Sequence, residues 1–406
     1  MLQRIAIDEL TPGMYVNRVV DDTGKVKIRS KGVVRSDAVI TQLKNKGVEV
    51  VEIDTEKGVP PTAPPAPASD TAPPVAETPP VSNTDVEASN EPLTSDSLKA
   101  AEQLFQKAMA IQQTFLTQLR SGKGADVNKL STLTQDILEC VFENQAAMIC
   151  LSMVQRGNDS LLEHSLNCSI HMAILADAAG FDKQSVEYAS LAGLLMDTGM
   201  VKLPPELCVP EEQLSGTDLM MYQTHVDESL EAIEHSDDLP EVVKDIVSQH
   251  HERIDGSGYP KGLTGDDIEP LAQLAAVVDE FSRLGMPAPF GCAYATSKVL
   301  KSLARNKGLE QTLVNRLIGV LGIYPIGSLV KLKSGKLGIV SRRNPSNLLQ
   351  PQVMTFYSVN SGHFQEVKRI DLAKGKDEIE SSIGPDEFAI NLPKFFTDVF
   401  IPQASD

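Results

Sequence analysis

The chain has 406 residues, enough for two or three domains, since a single hydrophobic core usually stops growing at about 250–300 residues. Its net charge is −18 at pH 7, and 41% of its residues are hydrophobic. A chain this acidic, without a dense Lys/Arg cluster, is not expected to bind duplex nucleic acid. It contains no run of about 18 apolar residues, so no membrane span is predicted, and its first residues lack a signal-peptide pattern. We therefore expect a cytoplasmic protein.

Residues 1–57 alternate short apolar runs with turn residues, which predicts a small α+β N-terminal domain. Arg4–Ile7 and Val48–Ile53 are predicted strands, Asp21–Gly24 a hairpin turn and Ser36–Lys46 a helix. Residues 58–93 then contain ten prolines and no aromatic residue, Lys or Arg. Such a segment buries too little apolar surface to offset its chain entropy, so it is predicted to be a disordered linker.

Helical periodicity dominates from residue 94 to residue 320. Thr94, Ser95 and Asp96 are good helix caps, and apolar residues recur at helical spacing after them, so residues 94–154 are predicted to be a helical lead-in. Residues 155–320 continue as helices joined by short polar loops. They form the predicted main domain.

The pattern changes again near Pro325. Short apolar runs predict a small β unit at residues 321–375, followed by an acidic tail at residues 376–406. An apolar patch in that tail is expected to dock on the folded body; it consists of Phe395, Phe396, Val399 and Phe400. The expected fold class is therefore mainly α, with small flanking α+β and β parts.

Six of the seven histidines lie between residues 164 and 251. Asp197 and Asp279 each end a predicted apolar helix in the same region. Histidines and carboxylates spread over several helices suit a dinuclear site for Fe, Mn or a similar ion inside a helical bundle. Taken singly, however, each histidine is more often an ordinary core or surface residue, so the dispersed pattern leaves both interpretations open.

The segment from His250 to Pro260, HHERIDGSGYP, favours the metal site. It resembles, nearly letter for letter, the HHExxDGxGYP motif of the HD-GYP family. The surrounding order is similar too: Met196-Asp197 stands where the family has its HD doublet, and Asp279 where it has its last metal-ligating aspartate. Residues 1–57 resemble the small domain that often precedes HD-GYP domains.

The resemblance implies an HD-type helical bundle that binds two or three metal ions and hydrolyses cyclic di-GMP. Asp197 is the implied catalytic aspartate, which bridges two ions; the full implied ligand set is His164, Asp197, His225, His250, His251 and Asp279. The GYP loop is implied to shape the nucleotide pocket and to meet partner signalling proteins. The implied substrate-binding residues are Arg253, Asp255, Gly256, Gly258, Tyr259 and Pro260.

Met196 replaces the histidine of the HD doublet, and Met200 replaces the lysine that follows it in the family. A thioether is a poor ligand for Fe²⁺ or Mn²⁺, and methionine at position 200 removes a positive charge expected beside the scissile phosphate. After Asp279 the family's substrate-binding segment is also not matched, and only Arg283 offers a replacement for its arginine. These departures predict that metal occupancy falls to one ion, on the side of His225, or to none.

Three functional hypotheses remain. The first is a degenerate HD-GYP protein of bacterial cyclic-dinucleotide signalling, with little or no phosphodiesterase activity, that binds a cyclic dinucleotide or partner proteins. The alternative is an active metal-dependent cyclic di-GMP phosphodiesterase with an altered metal site. The third is a structural or adaptor bundle without a ligand. The bound metal content distinguishes the second hypothesis from the others.

Overall fold

The computed structural model describes residues 2–7, 10–11, 14–20, 26–28, 32–33, 50–54, 93–122, 126–154, 160–234, 239–287, 290–344, 346–384, 387–388 and 392–404. The chain divides into two compact units, residues 1–78 and residues 79–406. The hairpin turn expected at Asp21–Gly24, the helix expected at Ser36–Lys46 and nearly all of the linker expected at residues 58–93 lie outside the described residues.

The first unit contains one antiparallel sheet. Its strands are β1 (Leu2–Ala6), β2 (Tyr15–Val20), β3 (Val26–Ile28), β4 (Gly32–Val33) and β5 (Val50–Asp54). The strand order is β1-β5-β2-β3, and β4 also pairs with β2. The predicted strands at Arg4–Ile7 and Val48–Ile53 overlap β1 and β5, which pair with each other. A small apolar core, which includes Ile5, Val51 and Ile53, holds the sheet together.

The second unit begins with ten helices. They are α1 (Ser95–Arg120), α2 (Val127–Met153), α3 (Ser160–Ala179), α4 (Lys183–Leu195), α5 (Gly216–Gln223), α6 (His225–Glu234), α7 (Glu241–Gln249), α8 (Pro270–Gly285), α9 (Thr296–Arg305) and α10 (Gln311–Leu321). Short 3-10 turns lie between them, at Thr198–Lys202, Pro205–Leu207, Glu211–Gln213 and Gly265–Asp267.

Local sequence explains where two of these helices begin. Thr94 caps α1 in a reciprocal arrangement: its hydroxyl accepts from the Ser97 amide at 3.1 Å, and the Ser97 hydroxyl accepts from the Thr94 amide at 3.1 Å. Asp182 caps α4 by accepting from the Ser185 amide at 2.9 Å. The expectation that Thr94–Asp96 starts a helix is thereby confirmed.

Helix α3 is the central helix of the bundle, because every residue from Leu162 to Ala176 is buried. It packs very closely against α4: a Cβ added to Gly193 would lie 2.6 Å from the Ser169 backbone nitrogen. Only glycine permits this approach, since real Cβ atoms do not come within 3.0 Å of such an atom. The close contact fixes the position of the residues that follow α4.

The C-terminal part is an antiparallel sheet followed by short helices. Its strands are β6 (Leu329–Leu332), β7 (Lys336–Arg342), β8 (Gln352–Ser358), β9 (His363–Asp371) and β10 (Ile379–Ser382), in the order β10-β6-β7-β8-β9. Beyond the sheet come α11 (Leu392–Phe395), a π-helical turn (Phe396–Phe400) and α12 (Ile401–Gln403).

Two expectations about this region differ from the structure. The sheet does not end at residue 375, because β10 pairs with β6, and residues 376–406 are not simply an acidic tail. The expected docking of the apolar patch is confirmed: Phe395 stacks on Phe356 with ring centroids 4.0 Å apart, and Phe396 and Phe400 are buried. Burial of these rings supplies the apolar area that offsets the ordering of the segment.

The main helical core is shared across the expected divisions of the second unit. Buried residues of α1 and α2, of the bundle helices and of strands β6–β8 belong to one apolar cluster. The divisions at residues 154/155 and 320/321 therefore do not separate two hydrophobic cores. The mainly α fold with a small C-terminal β unit is confirmed. Among the described helices, none has the length and apolarity needed to cross a bilayer.

Candidate metal centre

Helix ends and one helix face bring the six predicted ligands together. His164 lies in α3, and Asp197 is the second residue after α4, directly before the 3-10 turn. The remaining four come from the start of α6, the end of α7 and the middle of α8; they are His225, His250, His251 and Asp279. All six side chains are buried, and every one of them belongs to a candidate ligand group.

The first group, called here the imidazole group, consists of Asp197, His225, His250 and His251, whose ligand atoms all lie within 4.8 Å of one another. Asp197 Oδ1 is 3.6 Å from His225 Nε2 and 3.9 Å from His250 Nε2. His225 Nε2 and His251 Nε2 are only 3.1 Å apart. Three nitrogens and one oxygen that converge in this way are a donor set suited to a divalent transition metal.

The second group, called here the carboxylate group, consists of His164, Asp197 and Asp279. His164 Nε2 lies 3.2 Å from Asp197 Oδ2 and 3.2 Å from Asp279 Oδ1. The other ring nitrogen, Nδ1, is 3.0 Å from the Ser282 hydroxyl. Asp197 belongs to both groups, so its two oxygens face different sets of ligands, as a bridging carboxylate requires.

Backbone carbonyls determine the tautomer of two histidines. His225 Nδ1 donates to the Tyr222 carbonyl at 2.7 Å, and His250 Nδ1 donates to the Val247 carbonyl at 2.7 Å. A carbonyl oxygen can only accept, so the proton of each neutral ring is on Nδ1 and the Nε2 lone pair faces the centre. Such outer hydrogen bonds orient metal-binding histidines in known sites.

The electrostatics of the two groups differ. Burial is the main cause that lowers the pKa of His225 to about 4 and the pKa of His251 well below its ordinary value, so both rings are neutral and able to bind a metal. Burial also acts to lower the pKa of His164, but Cys168 and the hydrogen bonds to Asp197 and Asp279 outweigh it and hold that pKa well above its ordinary value. His164 is therefore paired with two carboxylates, Asp197 and Asp279.

Two buried ring nitrogens of the imidazole group lack a hydrogen bond within the described structure, His250 Nε2 and His251 Nδ1. Buried polar atoms are usually satisfied, and each exception calls for an explanation such as an ion. The imidazole group has the donors and the neutral rings that a divalent ion needs, so these residues fit a bound metal. The carboxylate group offers only three ligands and is partly neutralised by His164.

The GYP loop covers the imidazole group. The Tyr259 ring stacks on the His251 ring with centroids 4.6 Å apart and an interplanar angle of 21°. Gly258 allows this close packing, because an added Cβ would lie 2.5 Å from the His251 carbonyl oxygen. The Tyr259–Pro260 peptide bond is cis. In this position the loop shields one face of the ligand set from solvent.

Glu252 anchors the loop, a role that motif letters alone do not reveal. Its side chain is buried and accepts from the amides of Lys261 at 2.7 Å and Leu263 at 2.9 Å. The charge of the carboxylate strengthens both hydrogen bonds. Because Glu252 directly follows His251, the loop and the ligand are fixed to each other through one residue.

Two family models and several known proteins are similar to this chain. Residues 148–311 match the family model of an HD domain, and residues 2–130 match a domain of unknown function, DUF3391. A cyclic di-GMP phosphodiesterase of Pseudomonas aeruginosa is 27% identical over 364 residues, which cover 89% of this chain and 86% of that protein. The chain belongs to the HD-GYP family.

Other relatives match a smaller share of the chain. A 3′3′-cGAMP-specific phosphodiesterase of Vibrio cholerae is 29% identical over 158 residues, which cover 38% of this chain and 30% of that protein. A cyclic di-GMP phosphodiesterase response regulator of Xanthomonas campestris is 24% identical over 209 residues, 51% of each protein. The solved structure of an HDG"Y"P protein from Bdellovibrio bacteriovorus matches 79% of this chain and 99% of that chain. The TM-score is 0.49 and the sequence identity is 17%, so the two structures are only distantly alike.

Met196 and Met200, which stand at the HD-GYP histidine and lysine positions, are both buried in apolar surroundings. Met196 belongs to the main hydrophobic core. Met200 packs in a separate cluster with Tyr222, Met286 and Phe290. The Phe290 ring also lies 5.4 Å from the His164 ring, centroid to centroid. The carboxylate group is thus bordered by apolar side chains on the side where the family motif has polar ones.

Arg283, which the sequence offered only as a replacement arginine, reaches the HD-GYP centre. Its Nε is 3.3 Å from Asp279 Oδ2, and its Nη2 is 3.6 Å from the Glu211 carboxylate. Its Nη1 donates to the Tyr222 hydroxyl. Tyr259 adds a longer contact to the same cluster, since its hydroxyl donates to Glu211 at 3.4 Å. Tyr222 and Glu211 carry no motif letter, so no sequence signal points to them.

The predicted substrate-binding residues Arg253, Asp255 and Gly256 take part in contacts that shape the loop or join it to α8. The Arg253 guanidinium pairs with Glu280 at 3.5 Å, and Glu280 also accepts from Asn306 at 3.0 Å. Asp255 accepts from the amide and hydroxyl of Ser257. Gly256 has a φ of 77°, a conformation that favours glycine. These contacts give Arg253, Asp255 and Gly256 a structural part in shaping the loop.

Gly199 joins the turn that carries Asp197 to helix α6. Its amide donates to the Ser229 hydroxyl at 2.8 Å. An added Cβ would overlap the His225 carbonyl oxygen and lie 2.6 Å from the Ser229 nitrogen. The turn and the first residues of α6 therefore touch backbone to backbone.

Proposed function

We propose that this chain is an HD-GYP protein of bacterial cyclic-dinucleotide signalling that binds a cyclic dinucleotide or partner proteins and hydrolyses cyclic di-GMP weakly or not at all. The relatives that it matches are phosphodiesterases of cyclic di-GMP or 3′3′-cGAMP, which supports a cyclic dinucleotide as the ligand class. The GYP loop, whose Tyr259 covers the imidazole group, is the surface proposed to meet partner proteins.

The burial of Met196 in the hydrophobic core, at the position of the HD histidine, is the observation that carries this proposal. Without that imidazole the carboxylate group has one nitrogen ligand, His164, and the thioether of Met196 is a soft donor that suits Fe²⁺ or Mn²⁺ poorly. Loss of an electrostatic stabiliser, as at Met200, typically lowers the rate about 10²–10³-fold.

The residues of the imidazole group retain a defined role in this proposal. His225 and His250 present Nε2 lone pairs held in place by carbonyl hydrogen bonds, and Asp197 supplies the negative charge. A divalent ion bound there would supply Lewis acidity to a phosphate oxygen of the ligand. Tyr259 limits the access of water to the His251 face. This arrangement suits the binding of a phosphodiester better than its cleavage.

One observation favours the alternative, an active phosphodiesterase with an altered metal site. All six family-implied ligands are present, buried and convergent, and Asp197 still faces both groups. An enzyme that needs only one tightly bound ion and a second weakly bound ion would retain activity at high metal concentration.

The test uses the full chain loaded with Mn²⁺ or Fe²⁺ and dialysed. We expect at most one tightly bound ion per chain by elemental analysis, binding of cyclic di-GMP by calorimetry, and hydrolysis at most a few per cent of that of an active relative. Two retained ions with steady product formation would establish the alternative. A protein that binds neither metal nor cyclic dinucleotide would instead be the structural bundle.

The double variant Met196→His with Met200→Lys tests whether these two methionines are the cause of the proposed weak hydrolysis. We expect higher metal occupancy and a measurable gain in hydrolysis, because one ligand and one cation return to the centre. Met200→Lys alone serves as the control, since it adds charge without a ligand. A folded, metal-loaded double variant that remains inert would place the main lesion in the segment after Asp279.

A further inference from the structure

We propose that the Arg283 guanidinium takes the place of the second metal ion of the centre. In this arrangement the chain binds one divalent ion, in the imidazole group, while Arg283 supplies the positive charge for the carboxylate group. The inference rests on the proposed function only in assuming that the imidazole group binds a metal.

The helix geometry places Arg283 beside a metal ligand. Arg283 follows Asp279 by four residues in α8, so both side chains lie on the same face of the helix. The distance from Arg283 Nε to Asp279 Oδ2 is 3.3 Å, whereas Asp279 Oδ1 lies 3.2 Å from His164 Nε2. One oxygen of Asp279 thus faces the guanidinium, and the other faces the His164 ring.

Contacts on the far side hold the guanidinium in this position. Its nitrogens contact the Tyr222 hydroxyl and the Glu211 carboxylate, and its central carbon lies 5.9 Å from the centroid of the Tyr222 ring. Only 15% of the Arg283 side chain is exposed. An arginine that is anchored at three points and buried does not swing freely into solvent, so it is a fixed charge of the centre.

The charges of the carboxylate group then favour arginine over an ion. Asp197 and Asp279 provide two negative charges, of which Asp197 is shared with the imidazole group. Asp279 therefore supplies most of the negative charge that a second metal ion in the carboxylate group would need, and Arg283 already neutralises that charge. A divalent ion bound there would meet a permanent like charge in a buried site, where repulsion between charges is poorly screened.

Arg283→Met tests the idea, because methionine keeps much of the side-chain length and removes the charge. Full-length wild-type and variant proteins are loaded with Mn²⁺, dialysed and analysed for metal, and electron paramagnetic resonance distinguishes isolated Mn²⁺ from a coupled pair. We expect one isolated ion in the wild type and two coupled ions in the variant. Arg283→Lys, which keeps a positive charge, should remain at one ion.

Several results would overturn the proposal. Two ions in the wild type would refute it while leaving metal binding by the centre intact. One bound ion in both the wild type and Arg283→Met would also refute the proposal. If cyclic di-GMP then bound at least ten-fold more weakly to the variant, Arg283 would be a ligand-binding residue instead. If neither the wild type nor Arg283→Met retains metal, the proposed binding of a metal by the imidazole group is wrong as well. Arg283→Gln, which keeps a donor for Tyr222, replaces Arg283→Met if that variant fails to fold.

Discussion

The two halves of the candidate metal centre differ in composition although they share Asp197. The imidazole group has three histidines, two of them oriented by backbone carbonyls, and is covered by the aromatic ring of the GYP loop. The carboxylate group has one histidine of raised pKa and is bordered by Phe290 and Arg283. The first group therefore has the features of a metal site, whereas the second has a guanidinium and an aromatic ring beside its ligands.

This difference goes with a difference in the helices that hold the two groups. The imidazole group depends on α6 and α7, and the carboxylate group depends on α3 and α8. Substitutions near one pair of helices leave the ligands on the other pair in place. The following experiments probe that independence.

Asp197→Asn should have the largest effect, because Asp197 is the only ligand common to both groups. The amide keeps the side-chain volume but removes the charge, and loss of a direct ligand should weaken metal binding more than the roughly 10- to 100-fold associated with outer residues. We expect no ion to survive dialysis, measured by elemental analysis. Asp177→Asn, at an exposed position of α3, is the control and should retain the wild-type metal content. An unchanged ion count in Asp197→Asn would show that the two groups do not depend on this carboxylate.

A matched pair of histidine variants tests the asymmetry directly. His225→Ala removes a ligand of the imidazole group and should abolish the tightly bound ion. His164→Ala removes the nitrogen of the carboxylate group and should leave that ion in place. Both side chains are fully buried, so the general cost of creating a cavity is comparable. Elemental analysis compares the metal content of the two variants, and thermal unfolding verifies that both are folded. Equal loss of metal in both variants would contradict the independence of the two groups.

Glu252→Gln should have the smallest effect of the three. Glutamine retains one acceptor oxygen for the two loop amides, so one charge-assisted hydrogen bond is lost, and we expect a free energy of unfolding lower by about 1.5–3 kcal/mol. The ion count should not change, because the loop covers the imidazole group without contributing a ligand. Glu231→Gln is the control: its side chain is 68% exposed, and its substitution should alter stability by less than about 0.5 kcal/mol. Chemical denaturation measures both, and loss of metal in Glu252→Gln would assign the loop a direct part in binding.

The sequence predicts which six residues come together, but it does not predict their surroundings. The six residues follow from the resemblance to the family motif and from its order along the chain. Strand β10 is missed, since Ile379–Ser382 is short and polar and finds its partner β6 about fifty residues earlier in the chain. Arg283 lies at a spacing from Asp279 that permits contact, but the sequence does not reveal that Tyr222 and Glu211 hold it there. Such contacts depend on where separate helices meet.

The close contact at Gly199 has a consequence for how this centre can change over time. The separation between the Asp197 turn and the first turn of α6 is set by main-chain atoms that touch, not by the side chains around them. Replacement of neighbouring side chains, as at positions 196 and 200, therefore does not move Asp197 away from His225. A histidine or lysine introduced at these positions would therefore enter a geometry that the main chain already holds in place.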